Sequence, residues 1–393
     1  MPVNQAVGQD STVIRESGSP AVVLKHGAAL SSLLLASLIV ASGTLFAKEK
    51  TQSIILDSEI LGEQREILVS LPDSYDRTQS DYAVLVTTDA ELIHEFAYGT
   101  SLYLSRQGEA PELIVVGIVN TDREKHLYYE VDNFTAFLED ELAPFIDERF
   151  RTNGLRILFG FSSGTVPVDT LLFSDSDLFS LYISAGWGMS DSGYARLSKS
   201  LDQIEFSGQR VFFSTEGETV RRKNVENFLA DLDRVSPGNL TWKGHIYEGM
   251  DHGDVMTRGL HDGLEYLFND WEIPGNLSEK GITGLEQHEQ ALRQRFSRPV
   301  RLQSETIASA AFGLLHTGDE RHAAAATALL EEAVRRKPWG GDMLAYLAYA
   351  QWQYGDLDQA RNTMREAIEL AEDFSDPQLA DFENRLREWM KTE

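Results

Sequence analysis

The chain has 393 residues, of which 42% are hydrophobic, and this length allows two or three domains with a large core. Its formal net charge is −27. Acidity of this size argues against partners such as nucleic acids and anionic membrane surfaces, because phosphate groups would be repelled. The absence of cysteine excludes disulfides, thiolate nucleophiles and Cys-ligated zinc sites.

The first 50 residues predict export from the cell. Residues 1–26 are polar and patternless and are predicted to be disordered, whereas residues 27–47 contain no charged side chain. The length of this apolar segment lies between that of a secretory signal and that of a minimal membrane span. We therefore expect a periplasmic or secreted protein, with residues 27–47 either removed as a signal peptide or kept as a membrane anchor. A buried core helix is the alternative.

Residues 51–273 alternate between short apolar runs and amphipathic segments, which predicts an α/β domain with a doubly wound, mostly parallel sheet. The amphipathic segment before the apolar run Ile157–Phe159 is predicted to form a helix that begins at Asn133 and extends to Phe150. Functional loops should lie at the carboxyl ends of the strands. The predicted strands are Ile67–Val69, Tyr82–Val86, Leu113–Val119, Ile157–Phe159, Leu181–Ser184, Val211–Ser214 and Leu240–Tyr247.

Composition changes after Pro274. Residues 274–303 are polar and are interpreted as a connector, and residues 304–393 are rich in Ala, Leu, Glu and Arg without strand patterns. Two alanines recur at an offset of 34 residues, Ala326 and Ala333 as Ala360 and Ala367. This spacing resembles tetratricopeptide repeats, followed by a capping helix. An unrelated helical bundle is the alternative, and either arrangement could bind a protein partner or form a homodimer.

The segment Gly160-Phe161-Ser162-Ser163-Gly164 has the pattern G-x-S-x-G and follows a predicted strand. In the nucleophile elbow of α/β-hydrolases, this spacing places the serine on a strained turn with its hydroxyl clear of the sheet. Glycine is needed on either side because backbone segments pass close together. Ser162 is therefore the candidate nucleophile.

A serine nucleophile needs a base and an acid that orients the base. Among the histidines of the α/β region, His252 alone lies in a glycine-flanked loop between the last predicted strand and the last helix. Glu216 and Glu218 both follow the Val211–Ser214 strand and are the candidate acids. The resulting chain order of serine, acid and histidine is the one that α/β-hydrolases use.

These segments together resemble the esterase family that includes enterochelin esterases and related siderophore esterases, over about residues 58–271. The resemblance implies a serine esterase with the α/β-hydrolase fold, and it favours Glu216 over Glu218 as the acid. The matching segments are Leu71–Tyr75, Pro111–Ile118, Asn120–Arg123, Glu141–Ile146, Arg151-Thr152, Thr215–Gly217 and Asp251–Gly253.

The chain also departs from this family's patterns. Phe161, Ser163 and Thr165 replace residues of the usual Gly-His-Ser-Leu-Gly-Gly, and Asp89-Ala90 replaces Asp-Gly. The segments 126–129 and 184–188 differ as well. The hydrolytic residues are retained and the surrounding pocket has changed, so the resemblance does not imply a siderophore substrate.

The sequence thus predicts an exported serine esterase that acts on a small-molecule ester and needs no cofactor or metal ion. Backbone N–H groups of Ser163, Ala90 and Glu91 would bind the oxyanion. Two alternatives remain: a catalytically silent hydrolase fold that binds partners through its helical region, and an esterase for carbohydrate-linked feruloyl or acetyl groups. The candidate substrate-binding residues are Arg123, Tyr128, its neighbour Tyr129, and Trp187.

Overall fold

The computed structural model describes residues 51–201, 203–217, 221–374 and 376–391. The predictions for residues 1–50, including the apolar segment 27–47, fall outside this range. So does Glu218, the alternative acid. Within the described ranges, none of the helices has the length and apolar character needed to cross a membrane.

A single eight-stranded sheet forms the centre of the α/β region. Its strand order is β1-β2-β4-β3-β5-β6-β7-β8, with β1, β2 and β4 paired antiparallel and the remaining neighbours paired parallel. This topology confirms the predicted α/β class and mostly parallel sheet. The strands are β1 Thr51–Ser58, β2 Glu63–Ser70, β3 Tyr82–Thr87, β4 Leu113–Ile118, β5 Thr152–Phe161, β6 Leu181–Ala185, β7 Arg210–Glu216 and β8 Thr241–Tyr247.

Helices cover both faces of this sheet, which explains why its central strands are apolar throughout. Every residue of β3 and β4 is buried. Alternate side chains contribute to two separate apolar clusters, with Leu85 in one and Val84 in the other. The helices are α1 Ala90–Gln107, α2 Val131–Phe137, α3 Ala143–Arg149, α4 Thr165–Leu172, α5 Asp191–Ser200, α6 Arg222–Val235 and α7 His252–Leu267.

Several predicted boundaries differ from the structure. The helix expected to start at Asn133 begins at Val131, and a π-helical turn at Leu138–Leu142 joins α2 to α3. Asn133 therefore lies inside the helix and is not its cap. Strand β1 was not predicted from the sequence. Most of its residues are exposed or half-exposed at the sheet edge, where burial imposes no continuous apolar run.

The chain continues as an all-helical region, in which consecutive helices pack against each other. The four alanines of the predicted repeat are fully buried. Gly355, with φ +88°, and the N-cap Asp356 form the predicted turn. The tetratricopeptide interpretation remains a prediction. The helices are α8 Gly275–Ser278, α9 Ile282–Phe296, α10 Ser304–His316, α11 Ala323–Arg336, α12 Gly341–Gln353, α13 Leu357–Asp373 and α14 Leu379–Trp389.

Helix α10 packs directly on α1 of the α/β region. The Thr306 hydroxyl donates to the Gly108 carbonyl at 2.9 Å, and the Gln303 amide donates to the Ala110 carbonyl at 2.5 Å. Gly108 has φ +80°, and a Cβ there would lie 2.8 Å from Thr306 Cα. Because this approach requires glycine, the end of α1 and the start of α10 form one close-packed joint.

Candidate active site

Ser162 lies on the sharp turn between β5 and α4, at the carboxyl edge of the sheet. Its φ is +56°, a left-handed conformation that is costly for a serine and is found where the surroundings enforce it. A Cβ on Gly160 would lie 2.0 Å from the Gly164 carbonyl oxygen, and one on Gly164 would lie 2.4 Å from Thr88 Oγ1. Both flanking glycines are therefore sterically required, and the turn has the geometry of a nucleophile elbow.

Two residues that depart from the family's usual elbow have identifiable contacts. Thr165, which is buried, donates its hydroxyl to the Ser162 carbonyl at 2.7 Å and so braces the strained turn. The Phe161 ring packs against His252, with ring centroids 4.8 Å apart. The unusual phenylalanine thus provides an aromatic surface against which the His252 ring packs.

His252 is the first residue of α7 and lies next to Glu216, the last residue of β7. His252 Nδ1 and Glu216 Oε2 are 3.1 Å apart, which is hydrogen-bond distance. If Nδ1 carries the proton and donates to the carboxylate, Nε2 is left with a lone pair that can accept a proton. Asp251 caps α7 by accepting from the Asp254 N–H at 2.9 Å, which fixes the start of the helix that carries His252.

Gly186, directly after β6, makes room for this histidine. Its φ is +60°, and a Cβ there would lie 2.8 Å from the Phe161 ring and 2.9 Å from His252 Cε1. The ends of β5 and β6 and the loop after β8 therefore bring Phe161, Gly186 and His252 close together. The structure places the candidate base beside the residue that precedes the candidate nucleophile.

The Ser162 hydroxyl and His252 are not joined by a hydrogen bond within the part of the chain that the structure describes. Catalytic hydrogen bonds are often long before substrate binds and tighten only in the complex, so this geometry is compatible with a serine–histidine pair. The His252 side chain is about half exposed, at 47%, which leaves its ring reachable from solvent.

The environment of Glu216 favours its charged form. Burial by itself raises the pKa of the carboxyl, but its own backbone N–H and the hydrogen bond to His252 outweigh burial, and the net pKa is lowered from the ordinary value. A carboxylate that stays ionised can orient the imidazole and stabilise its protonated form.

The opposite wall of the site is the turn between β3 and α1. Asp89 has φ +56° and occupies the N-cap position of α1, yet its side chain makes no capping hydrogen bond. Ala90 and Glu91 begin the helix, and N–H groups in a first helical turn have no partner within the helix. The residues just before this turn approach the elbow, because a Cβ on Gly164 would lie 2.4 Å from Thr88 Oγ1 and 3.3 Å from Asp89 Oδ2. The positive end of the helix dipole also favours negative charge here.

Arg123 was predicted to bind substrate, but its guanidinium is occupied by protein groups. Its Nε and Nη2 donate to the two carboxylate oxygens of Asp89 at 2.6 and 3.1 Å, and Nη2 also donates to the Phe161 carbonyl at 3.1 Å. The side chain links the turn after β3, the loop after β4 and the residue before Ser162. Arg123 thus bridges these three segments, and its role in substrate binding remains a prediction.

Asn120 and Asp89 belong to this arrangement, although the sequence did not single them out. The Asn120 amide donates to Asp89 Oδ1 at 2.6 Å and to Glu91 Oε1 at 2.8 Å. Asn120 lies in a segment that carries the family resemblance, Asn120–Arg123, whereas Asp89 lies in Asp89-Ala90, where the chain departs from the family's Asp-Gly. The signal was their position directly after neighbouring parallel strands, β3 and β4.

Trp187, one of the aromatic residues predicted to line the pocket, lies in the apolar core. It is 1% exposed, its ring stacks on Phe213 at 4.4 Å, and its Nε1 donates to Asp169 at 3.0 Å. Trp187 is thus a core residue, contrary to the prediction of a pocket wall. Tyr128 and Tyr129 are exposed on the π-helical turn Lys125–Tyr129, so their side chains remain available.

The other histidines of the α/β region have surroundings unlike those of a base. His94 is buried, its Nε2 lies 2.8 Å from Ser70 Oγ, and burial lowers its pKa to about 4. His126 is buried with its Nδ1 3.1 Å from an Arg65 nitrogen. His245 lies within β8 and His261 within α7.

One group within the described ranges, His261, Asp262 and Glu265 on α7, has ligand atoms close enough for a metal ion, within 4.8 Å of one another. Asp262 Oδ2 already accepts from Tyr247 at 2.8 Å and from Arg258 at 2.9 Å. Because its carboxylate is already engaged, we assign this group no part in the site.

Comparisons with known proteins agree with this geometry. A family profile described as Putative esterase matches residues 58–199. None of the curated protein sequences matches the chain.

Two solved structures have similar folds. An IroE-like serine hydrolase from Shewanella oneidensis is similar with a TM-score of 0.63 and 23% identity, over 71% of this chain and 98% of that one. An uncharacterised protein from Capnocytophaga ochracea is similar with a TM-score of 0.58 and 15% identity, over 85% of this chain and 100% of that one. At these identities the likeness shows a shared fold. Residues 58–199 of the α/β region thus match the Putative esterase family model, and the region shares its fold with these two solved structures, one of which is an IroE-like serine hydrolase.

Proposed function

We propose that the protein hydrolyses carboxylic esters through a triad of Ser162, His252 and Glu216. The observation that carries this proposal is the 3.1 Å contact between His252 and Glu216, next to a serine held at φ +56° on a glycine-flanked turn. Ser162, Glu216 and His252 lie at the carboxyl ends of β5, β7 and β8 in the parallel part of the sheet, where ligands bind in sheets of this kind.

In the first half of the reaction, Ser162 Oγ attacks the ester carbonyl carbon while His252 Nε2 takes the hydroxyl proton. The carbonyl electrons move to oxygen, and N–H groups of Ser163, Ala90 and Glu91 stabilise the oxyanion. Each such donor lowers the barrier by about 3–4 kcal/mol. The C–O bond to the alcohol then breaks, His252 returns its proton to the leaving alcohol, and an acyl-Ser162 ester remains.

In the second half, a water molecule replaces the alcohol and His252 takes its proton. The resulting hydroxide attacks the acyl carbon, the oxyanion forms in the same place, and the bond to Ser162 breaks. The proton on His252 passes to the serine oxygen. Glu216 stays ionised throughout and stabilises the imidazolium that forms in each half, in keeping with its lowered pKa.

Hydrolysis of short-chain p-nitrophenyl esters by the purified protein tests the proposal. We expect turnover with the parent protein and background rates with Ser162→Ala. Equal turnover by both would remove Ser162 as the nucleophile. A parent protein without turnover on any acyl chain, and without reaction with a fluorophosphonate, would instead favour the silent binding protein.

We further propose that the protein is exported. The support is the uncharged apolar segment at residues 27–47, bordered by Lys25 and Lys48. Fractionation of cells that express the full chain, followed by N-terminal sequencing, should find it outside the cytoplasm. Loss of the segment would mean a cleaved signal peptide, and its retention in the membrane fraction would mean an anchor. Recovery of the intact chain from the cytoplasm would contradict export.

The helical region is proposed to carry a partner or dimer surface. Because α10 is packed on α1 through Thr306 and Gln303, removal of the helices would expose apolar core, and a truncated chain would be a poor test. Light scattering of the full chain at several concentrations should show a dimer if this region self-associates. If the protein is monomeric at every concentration, self-association is excluded, and the surface would instead bind a different protein.

A further inference from the structure

We propose that Arg123 is a positioning residue whose charge neutralises Asp89 next to the oxyanion site. This inference rests on the proposed ester hydrolysis. It concerns the pair formed by Arg123, after β4, and Asp89, after β3. The pair lies between the two turns whose N–H groups are proposed to bind the oxyanion.

The Asp89 carboxylate is placed where a negative charge would oppose catalysis. The residue is only 2% exposed, and its Oδ2 would lie 3.3 Å from a Cβ built on Gly164, in the turn that starts at Ser162. The next two residues in the chain, Ala90 and Glu91, supply the proposed oxyanion donors. A buried anion this close to a developing oxyanion repels it, because water is excluded and screening is weak.

Arg123 is the one cation that the described residues bring into contact with this carboxylate. Its two hydrogen bonds to Asp89 form a bidentate pair, and the third, to the Phe161 carbonyl, ties the pair to the elbow. Asn120 and Thr88 also contact Asp89, but both are neutral. Glu91 adds a second carboxylate nearby, held by Asn120, so the local balance without Arg123 is strongly negative.

The same contacts explain why the N-cap of α1 is left open. Aspartate is among the preferred N-cap residues because its side chain accepts from first-turn N–H groups. Here the left-handed backbone of Asp89 and the hold of Arg123 direct the carboxylate elsewhere, and no capping bond forms. The Leu92 N–H donates to the Asp89 carbonyl, and the N–H groups of Ala90 and Glu91 remain available to a ligand.

Three possible roles of Arg123 make different predictions. A residue that binds substrate would mainly affect KM, and removing Asp89 as well would not restore activity. If Arg123 only holds the loops together, its removal would lower stability, and a second substitution at Asp89 would lower stability further. A residue that neutralises Asp89 would affect kcat, and its loss would be suppressed when Asp89 is also removed.

The experiment measures kcat and KM on a p-nitrophenyl ester, together with thermal stability, for Arg123→Met, Asp89→Gly and the double variant. Glycine is chosen at position 89 because it adopts φ +56° without strain. Arg106→Gln is the control, because Arg106 is about as exposed as Arg123 and also pairs with an aspartate, but that aspartate, Asp73, is exposed and lies at the other end of α1.

We expect Arg123→Met to lower kcat by about 30-fold with KM within about threefold, somewhat below the effect of deleting one oxyanion donor. The kcat of the double variant should be about tenfold higher than that of Arg123→Met. The kcat of Arg106→Gln should match that of the parent. Arg123→Lys, which keeps the charge, should retain kcat within about fivefold. If Arg123→Met does not fold, Arg123→Gln takes its place in both the single and the double variant.

A double variant no more active than Arg123→Met would overturn the inference while leaving the esterase function intact. A loss confined to KM would overturn it as well and would favour the substrate-binding role. If the parent protein shows no Ser162-dependent turnover, the proposed function fails first and this inference fails with it. The parent and Ser162→Ala measurements therefore separate the two failures.

Discussion

The sheet edge and the helical region use charged side chains in different ways. At the sheet edge, Glu216 and His252 form a single contact at 3.1 Å, and the imidazole remains half exposed. In the helical region, Lys337 is held between Glu305 at 2.8 Å and Asp342 at 2.9 Å, with all three side chains at least three-quarters buried. One arrangement leaves a titratable group reachable, and the other satisfies its charges internally.

This difference indicates where chemistry can occur. A buried cation that is hydrogen-bonded to two carboxylates has its charge balanced within the protein, so it stabilises packing and offers little to a ligand. A half-exposed imidazole that is oriented on one side only has a free ring nitrogen for a substrate or nucleophile. Substitutions in the two regions should therefore separate activity from stability.

The largest effect is expected at the candidate base. His252→Ala should lower kcat on p-nitrophenyl esters by at least about 10³-fold with little change in melting temperature, because proton transfer is lost while the exposed ring contributes little packing. His245→Ala is the matched control, since His245 is exposed on neighbouring β8. Comparable losses in both variants would contradict the assignment of His252.

A smaller loss is expected at the acid. Glu216→Gln keeps an oxygen near His252 but removes the negative charge, and kcat should fall by about 10²-fold. Glu218→Gln, the alternative that the sequence left open, should remain within about threefold of the parent. Kinetics of the two variants side by side decide between them, and the reverse ranking would move the acid to Glu218.

In the helical region we expect the opposite behaviour. Lys337→Met would leave the Glu305 and Asp342 carboxylates facing each other without a cation and should lower the free energy of unfolding by about 2–3 kcal/mol. Activity of the folded fraction at 25 °C should not change. Chemical denaturation measures the stability, with exposed Lys199→Met as control. Loss of activity without loss of stability would show that the regions are coupled.

The last prediction concerns how stability depends on pH. Burial raises the pKa of Asp169, which is hydrogen-bonded to Trp187, to about 7. The folded state therefore keeps a proton that the unfolded chain releases near its ordinary, lower pKa. Stability should fall as pH rises from about 4 to about 7 and then level off.

Asp169→Asn removes this proton linkage and keeps an acceptor for Trp187. We expect its advantage in unfolding free energy over the parent to grow between pH 4 and pH 7, by at most about 4 kcal/mol. Melting curves across this range measure it, and Asp175→Asn on an exposed loop residue should show no such trend. A parallel shift at every pH would mean that Asp169 carries no pH-linked cost.

Much of the fold could be predicted because burial on both faces leaves continuous apolar runs, as in Tyr82–Val86 and Leu113–Val119. The structure also brings Glu216 and His252 together, as their positions at strand ends led us to expect. The elbow glycines were predictable for the same local reason, since a close backbone approach admits no Cβ.

Other features depended on contacts that periodicity does not reveal. The strand pattern could not show that Arg123 would be held by Asp89, because the pair joins two loops 34 positions apart. Trp187 was placed in the pocket because it follows a strand, yet its ring faces the core beside Phe213. Strand β1 carries no continuous apolar run because it lies at an edge of the sheet.

The central claim is that Ser162 is the nucleophile, and covalent labelling tests it most directly. The folded protein is treated with a fluorophosphonate probe, digested, and analysed by mass spectrometry to locate the modified residue. We predict modification at Ser162, blocked in Ser162→Ala and slowed at least about tenfold in His252→Ala, because the hydroxyl then lacks its base. Labelling at a different residue, or equal labelling of Ser162→Ala, would contradict the account.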